Sequence, residues 1–284
     1  MTPPTQTAKP VLKWVGGKSQ LVESLLEWAP KEYGNYFEPF LGGGALFFHT
    51  RPQDAALSDS NQKLILFYEA LRDDPQSLFE RVSAKETEFN SLDVASRKTW
   101  FYKQRDSFNA DAEEKLEIAA LFLALNKTAF NGLYRENSSG QFNVPFNQAS
   151  KTVRFCQRDN FFAASEALRA AKLTAASFDS VLDEIRSNDF VYFDPPYVPI
   201  SKTSDFTGYA AKGFDMELQR RLVEVARECS ARGAHVLLSN SYTPWVETNY
   251  KSAGFRVEKV LAKRLVAARA SSRQPVFEAI IHNA

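Results

Sequence analysis

Residues 36–48 read YFEPFLGGGALFF, with three successive glycines at positions 42–44. The apolar run 36–41 predicts a short buried strand. The glycines predict a tight turn, and the segment ALFFHT (45–50) opens a helix. Strand, turn and helix in that order form the start of an α/β unit. Working outward, residues 55–58 (AALS) predict a second strand that stops at Asp59, and 61–72 carry apolar residues at helical spacing. Much later, FVYFD (190–194) is again a strand, 215–232 an amphipathic helix ended by Gly233, and HVLLSN (235–240) a further strand. FRVEKVLAKRLV and PVFEAIIH are expected to pair as a closing hairpin.

Between about 62 and 158 the pattern differs. Strand signals nearly vanish and helical ones dominate, as in 113–126 (EEKLEIAALFLALN), until a hairpin-like stretch at 133–146, LYRENSSGQFNVPF, that turns at residues 137–140. The chain therefore reads as α/β, then a mostly helical insert, then α/β. Alternating units imply a largely parallel sheet with helices on both faces. Such sheets bind ligands at the carboxyl ends of their strands, where both the glycine turn and residues 194–197 are expected to meet in one crevice.

Composition narrows the function classes. Of 284 residues, 44% are hydrophobic and 24% charged, the balance of a globular enzyme. No apolar run approaches the roughly 20 residues of a membrane span. The polar, proline-containing N-terminus has no signal-peptide core and is expected to be a disordered lead-in. Two cysteines, Cys156 and Cys229, are too few for a disulfide framework or a zinc site, so a reducing cytoplasm and no bound metal are expected. The net charge of +1 leaves a nucleic-acid partner open. Basic residues gather locally, at Lys127, Arg135, Lys151 and Arg154 and again at Lys259, Lys263, Arg264, Arg269 and Arg273. A solvated face accounts for them equally well.

Three segments carry chemistry. Gly42–Gly44 suit close approach of a ligand to the backbone, or simply a tight turn. Asp59, about 15 residues on, can accept from ribose hydroxyls, or cap the helix that follows. The stretch from Trp14 to Ser19 (WVGGKS) falls short of a P-loop, which requires glycine where Leu12 stands. Its Lys18 can still neutralise a carboxylate and its Trp14 can stack, although a solvent lysine and a core tryptophan fit as well.

The third segment is Asp194-Pro195-Pro196-Tyr197. Prolines fix φ and donate no hydrogen bond, leaving main-chain carbonyls as acceptors. Asp194 adds a second acceptor and Tyr197 a flat ring. Two acceptors beside an aromatic platform fit an exocyclic amino group on a planar base. Such an amine is a poor nucleophile because its lone pair is delocalised. Hydrogen bonds to both N–H groups localise that pair, and they strengthen as positive charge grows on nitrogen. A base inside a duplex must be flipped out to reach such a corner. C5 methylation of cytosine would instead require a reactive cysteine, and neither Cys156 nor Cys229 lies in a Pro-Cys context.

The chain resembles the Dam-like DNA adenine-N6 methyltransferases. The motifs LKWVGGKSQL (12–21), FEPFLGGGALFF (37–48), SDSN (58–61), LNKTAFNGLYRENSSGQFNVPF (125–146), FVYFDPPY (190–197) and LLSNSY (237–242) occur in that family's order. The resemblance implies a Rossmann-like, doubly wound α/β methyltransferase sheet. Residues 1–61 and 159–284 would form the catalytic domain and 62–158 an inserted, mostly helical target-recognition domain. It implies S-adenosyl-L-methionine as methyl donor, on Trp14, Gly17, Lys18, Phe40, Gly42, Gly44, Asp59, Phe178, Asp179 and Asp194. By this likeness Lys18 meets the methionine end, Asp59 the ribose and the turn at 177–179 the adenine. Asp194, Pro195, Pro196 and Tyr197 would hold the target base. Aspartate at 194 favours adenine; methylation of cytosine N4, or a catalytically silent DNA-binding protein of the same fold, are the alternatives.

The partner implied is double-stranded DNA in the cytoplasm, and a restriction endonuclease of the same system is compatible with the likeness. The hairpin resembles the sub-group that reads GATC. Arg135 can donate twice to guanine O6 and N7. Leu133 and Pro145 can pack on thymine methyls, Phe130 and Asn131 can wedge where the base leaves, and Lys13 matches a position linked with the outer guanine. Asn147-Gln148 departs from the glycine and basic residue usual there. The stretch 201–214 is expected to be a loop that orders over base and cofactor.

Overall fold

The structure is a computed structural model. It describes residues 8–18, 20–111, 114–199, 214–262 and 276–284. Residues 1–7 of the N-terminal lead-in, most of the expected loop at 201–214, and the basic residues Lys263, Arg264, Arg269 and Arg273 lie outside them. The end of the lead-in is ordered rather than free, with Ala8 buried and the Lys9 backbone bonded both ways to the Asn160 amide. Two compact units emerge. One comprises the segment ending at Gly17 with Gly42–Arg51 and Asn61–Leu173; the other comprises Lys18–Leu41, Pro52–Ser60 and the chain from Thr174 onward.

A seven-stranded sheet is built from β1 (Tyr36–Glu38), β2 (Ala55–Asp59), β3 (Lys172–Ala175), β4 (Phe190–Phe193), β5 (His235–Ser241), β6 (Arg256–Ala262) and β7 (Val276–His282), in the order β3-β2-β1-β4-β5-β7-β6. β1 runs parallel to β2 and β4, and β4 parallel to β5. β7 is antiparallel to both β5 and β6, which makes the closing hairpin expected from the sequence. The order reverses between β1 and β4. Crevices for ligands open at the carboxyl ends of strands at such a point.

The strands alternate side chains between two faces. Phe37, Val191, Phe193, Val236, Leu238, Ala279 and Ile281 form one apolar face. It is covered by Leu222, Val225 and Ala226 of α8 (Met216–Ala231) and by Val246 and Tyr250 of α9 (Pro244–Ser252). The opposite face carries Tyr36, Phe190 and His282. Here Tyr33 packs on Phe190 and Trp28 stacks on His282, both from the segment after α1 (Val22–Leu26). Both faces are buried, as a parallel sheet requires. β1 stops at Glu38, earlier than the apolar run suggested, because Pro39 has no N–H to continue the ladder.

The other unit is mainly helical. It contains α2 (Ala45–Thr50), α3 (Gln62–Asp73), α4 (Pro75–Ser91), α5 (Val94–Ala110), α6 (Lys115–Thr128) and α7 (Arg158–Leu168). The starts are set locally: Asn61, Asp74 and Asp93 accept from backbone N–H groups in the first turns of α3, α4 and α5. Helix α6 is buried from Ile118 to Leu125 because α3, α4 and α5 surround it. The hairpin is a ribbon with antiparallel bridges at Ala129–Phe146 and Glu136–Phe142 rather than two regular strands. It is fastened to the helices by Tyr134 against Phe122, Phe146 against Phe101 and Phe142 against Phe108. The Asn109 amide both donates to and accepts from the Phe142 backbone. No helix of the described residues is long and apolar enough to cross a membrane.

Candidate active site

The strand β4 delivers Asp194 directly past its last residue, Phe193, at the carboxyl edge. Three side chains converge there. Ser239 of β5 donates to Asp194 Oδ1 at 2.8 Å, and its hydroxyl also pairs with Tyr192 at 3.0 Å. Lys18 Nζ lies 2.8 Å from the same Oδ1. That ammonium also stands over the Tyr197 ring, 4.4 Å from its centroid. Lys18 is only 5% exposed, so its charge is balanced within the protein rather than by water.

The exit from β4 is held by a buried amide network. Gln219 of α8 donates to the Pro196 carbonyl at 2.7 Å, and Asn240 donates in turn to Gln219 Oε1. Asn240 Oδ1 accepts from Val198 N and Ser241 N, while the Ser241 hydroxyl reaches the Val198 carbonyl. Thus Pro196 stiffens the corner with its ring and gives its carbonyl to Gln219. The Tyr197 hydroxyl donates to Glu278 Oε2 on β7 at 2.8 Å. Burial, then Asp194 and Glu278, hold the Tyr197 phenol well above its ordinary pKa, so it remains a donor.

Around this edge lie other expected positions of the same unit. Phe40, just past β1, stacks on Phe178 at 5.3 Å and meets Phe193 edge-on, which makes an aromatic wall. Phe178 and Asp179 begin a 3-10 turn that runs to Asp183. Arg221 approaches Asp179 at 3.8 Å. Asp59 is the last residue of β2, and the cap of α3 is Asn61 instead.

In the helical unit, Trp14 fills the space beside the glycine turn. A Cβ at Gly42 would stand 2.7 Å from its indole and one at Gly43 3.1 Å from its Cβ. Gly42 and Gly44 both have positive φ, at 46° and 65°. Tyr68 donates to the Gly42 carbonyl at 2.9 Å. Gly17 donates to the Trp14 carbonyl and closes its own turn.

The six expected DNA contacts also lie in this unit. The Asn126 amide bonds both backbone groups of Lys13 and reaches the Gly132 carbonyl, tying the N-terminal segment to the hairpin. Phe130 faces the Pro145 carbonyl across the ribbon. Lys13, Phe130, Asn131, Arg135 and Pro145 are exposed and Leu133 is half-buried. Arg135 Nε donates to Asn143 Oδ1 at 2.7 Å. Sequence reasoning gave no role to Ser239, Gln219, Asn240, Glu278 or Asn143. The SNS run within 237–242 was a usable signal for the first; Glu278 carries none.

Among the described residues no cluster of three His, Cys, Asp or Glu side chains is arranged to hold a metal. Burial pushes both thiols, Cys156 and Cys229, up to about 12, which disfavours the thiolate near neutrality.

The family model for D12 class N6 adenine-specific DNA methyltransferases matches residues 14–265. The chain is 39% identical over 288 residues to the type II methyltransferase M.MjaIII of Methanocaldococcus jannaschii, covering 97% of this chain and 99% of the relative. It is 38% identical over 280 residues to the type II methyltransferase M1.LlaDCHI of Lactococcus lactis subsp. cremoris, covering 97% and 95%. It is 34% identical over 268 residues to the DNA adenine methylase of Vibrio cholerae, covering 94% and 93%.

Proposed function

We propose how this chain, which belongs to the family of D12 class N6 adenine-specific DNA methyltransferases, performs that reaction on duplex DNA and which residues it uses. The methyl donor in this reading is S-adenosyl-L-methionine, whose sulfonium supplies an electrophilic methyl group. The fit is chemical. Lys18, on leaving Asp194 and the Tyr197 face to the incoming base, offers its cation to a carboxylate, Asp59 offers an acceptor to ribose hydroxyls, and the Phe40–Phe178 wall an apolar face to a purine. Asp179 completes that side. Trp14, Gly17, Gly42 and Gly44 are assigned to the donor on their motifs alone.

The target adenine is flipped from the helix and stacks on Tyr197. Asp194 and the Pro195 carbonyl accept the two N6 hydrogens. This localises the nitrogen lone pair and aims it at the methyl group. The observation that carries the reading is the corner itself: one carboxylate oxygen and one ring face already receive a primary ammonium, that of Lys18. A site that accepts –NH3+ in this way suits a nitrogen that becomes positive in the transition state. Positioning supplies much of the remaining rate.

Residues 62–158 serve as the recognition insert, and the site is GATC. Arg135 reads a guanine, Leu133 and Pro145 contact thymine methyls, Phe130 and Asn131 occupy the gap, and Lys13 reaches the outer guanine. Support comes from the exposure of Lys13, Arg135, Phe130, Asn131 and Pro145. The type II relatives support a restriction endonuclease that cleaves the same unmodified sequence. The test is direct. Purified protein and S-adenosyl-L-methionine are incubated with unmethylated genomic DNA, which is then sequenced for modified bases. N6-methyladenine confined to GATC is expected; another motif overturns the specificity, and N4-methylcytosine the chemistry.

A further inference from the structure

Glu278 is the residue whose placement the methylation reading leaves unused. It stands on β7 opposite Ser241 of β5 and Val260 of β6, near the carboxyl end of β5. Its Oε2 takes the hydrogen bond of the Tyr197 phenol at 2.8 Å. The other end of the relationship is the ring face, over which the Lys18 ammonium rests at 4.4 Å. Tyr197 is thus gripped at its hydroxyl while its face meets a cation.

We infer that Glu278 is a positioning residue for methyl transfer, which fixes the Tyr197 ring and makes its face more electron-rich. The inference rests on the reading of Asp194–Tyr197 as the base-holding corner. A bond to the phenol at the ring's far end fixes the direction of the ring axis, and with it where the stacking face lies. A hydrogen bond to an ionised acceptor is also about twice as strong as a neutral one and shifts electron density from the O–H into the ring. The face above then attracts positive charge more strongly. Target N6 gains positive charge only as the methyl transfers, so Glu278 acts on the rate of transfer more than on donor binding.

The experiment measures single-turnover methylation of a duplex oligonucleotide, donor affinity, and melting temperature for a set of variants. Glu278→Ala is expected to slow transfer about tenfold, with donor affinity within about twofold of the parent, the size of one lost charged hydrogen bond. Glu278→Gln keeps an acceptor and is expected to recover part of that loss. In a Tyr197→Phe background, Glu278→Ala is expected to cost less than about twofold, because the bond it removes is already gone. Melting curves identify any variant that does not fold, and Glu278→Gln stands in for it. A Glu278→Ala protein at the parental rate, or the same loss in both backgrounds, overturns the inference. A Tyr197→Ala protein at the parental rate would remove the corner from catalysis and the inference with it. An impaired Tyr197→Ala beside an unimpaired Glu278→Ala would remove the inference alone.

Discussion

Lys18 and Asp194 form an ion pair of 2.8 Å, with side chains only 6% and 20% exposed. Removing one partner of a mostly buried pair leaves the other uncompensated, at a cost of about 3 kcal/mol. Asp194→Ala is therefore expected to lower stability by about that amount as well as to abolish methylation. Adding Lys18→Met should recover most of the stability and none of the activity. Denaturant melts of the single and double variants decide this. An Asp194→Ala protein as stable as the parent would mean that the lysine finds another partner without loss.

Gly42 tests the packing of the glycine turn. Its φ of 46° is unfavourable for a side chain, and an added Cβ would sit 2.7 Å from the Trp14 indole. Gly42→Ala is expected to destabilise the protein by about 2 kcal/mol or more. Trp14→Ala opens that space, so the cost of Gly42→Ala should be smaller in its presence, about 1 kcal/mol from backbone strain alone. Equal costs in both backgrounds would show that the indole moves aside freely.

What could be seen beforehand follows from the range of each interaction. Helix α2 matched the span read from ALFFHT, and α3 came within a residue, because apolar spacing and Asn61 are local signals. The cap falls on Asn61 rather than on Asp59, the capping candidate read from the sequence; both precede the apolar run. The two-sided burial of FVYF made β4 plain, and its last residue fixed Asp194 at the edge. The insertion of β7 between β5 and β6 had no signature, since an antiparallel pair reads the same in either order. Glu278 and Tyr197 are 81 residues apart, and alternation in VFEAIIH marks Glu278 only as a strand residue. The amide clamps of Asn109 and Asn126 are equally silent: Asn126 looks like a lapse in the apolar pattern of α6, and Asn109 like an ordinary polar residue near the end of α5.

Asn143 is expected to matter for discrimination. Its side chain fixes Arg135 Nε at 2.7 Å, which restricts the guanidinium before any DNA arrives. A preordered arginine loses less rotamer entropy on binding a guanine edge. If Arg135 reads guanine, Asn143→Ala should reduce the ratio of methylation at the cognate site to a site with one guanine replaced by about fivefold. Binding to non-cognate DNA should stay nearly unchanged, because the charge remains. Competition methylation with paired oligonucleotides gives the ratio; an unchanged ratio separates Asn143 from recognition.

Lys127 provides a pH test of the helical unit. Its ammonium donates to the Val11 carbonyl from a mostly buried site. Burial, then repulsion from Lys13, lowers its pKa from 10.5 to about 8. Between those values the unfolded chain holds more protons at this position than the folded one, so unfolding becomes less favourable as pH rises. The folded state carries the full penalty below about pH 8 and sheds it by pH 10.5. The contribution is at most about 3 kcal/mol. Lys127→Met removes the titration but leaves the Val11 carbonyl without its donor, a cost independent of pH. Urea unfolding of both proteins from pH 7 to 10 should show the parent gaining on the variant above about pH 8, on top of the trends that they share. A difference that stays flat over this range would mean that Lys127 keeps an ordinary pKa in the folded chain.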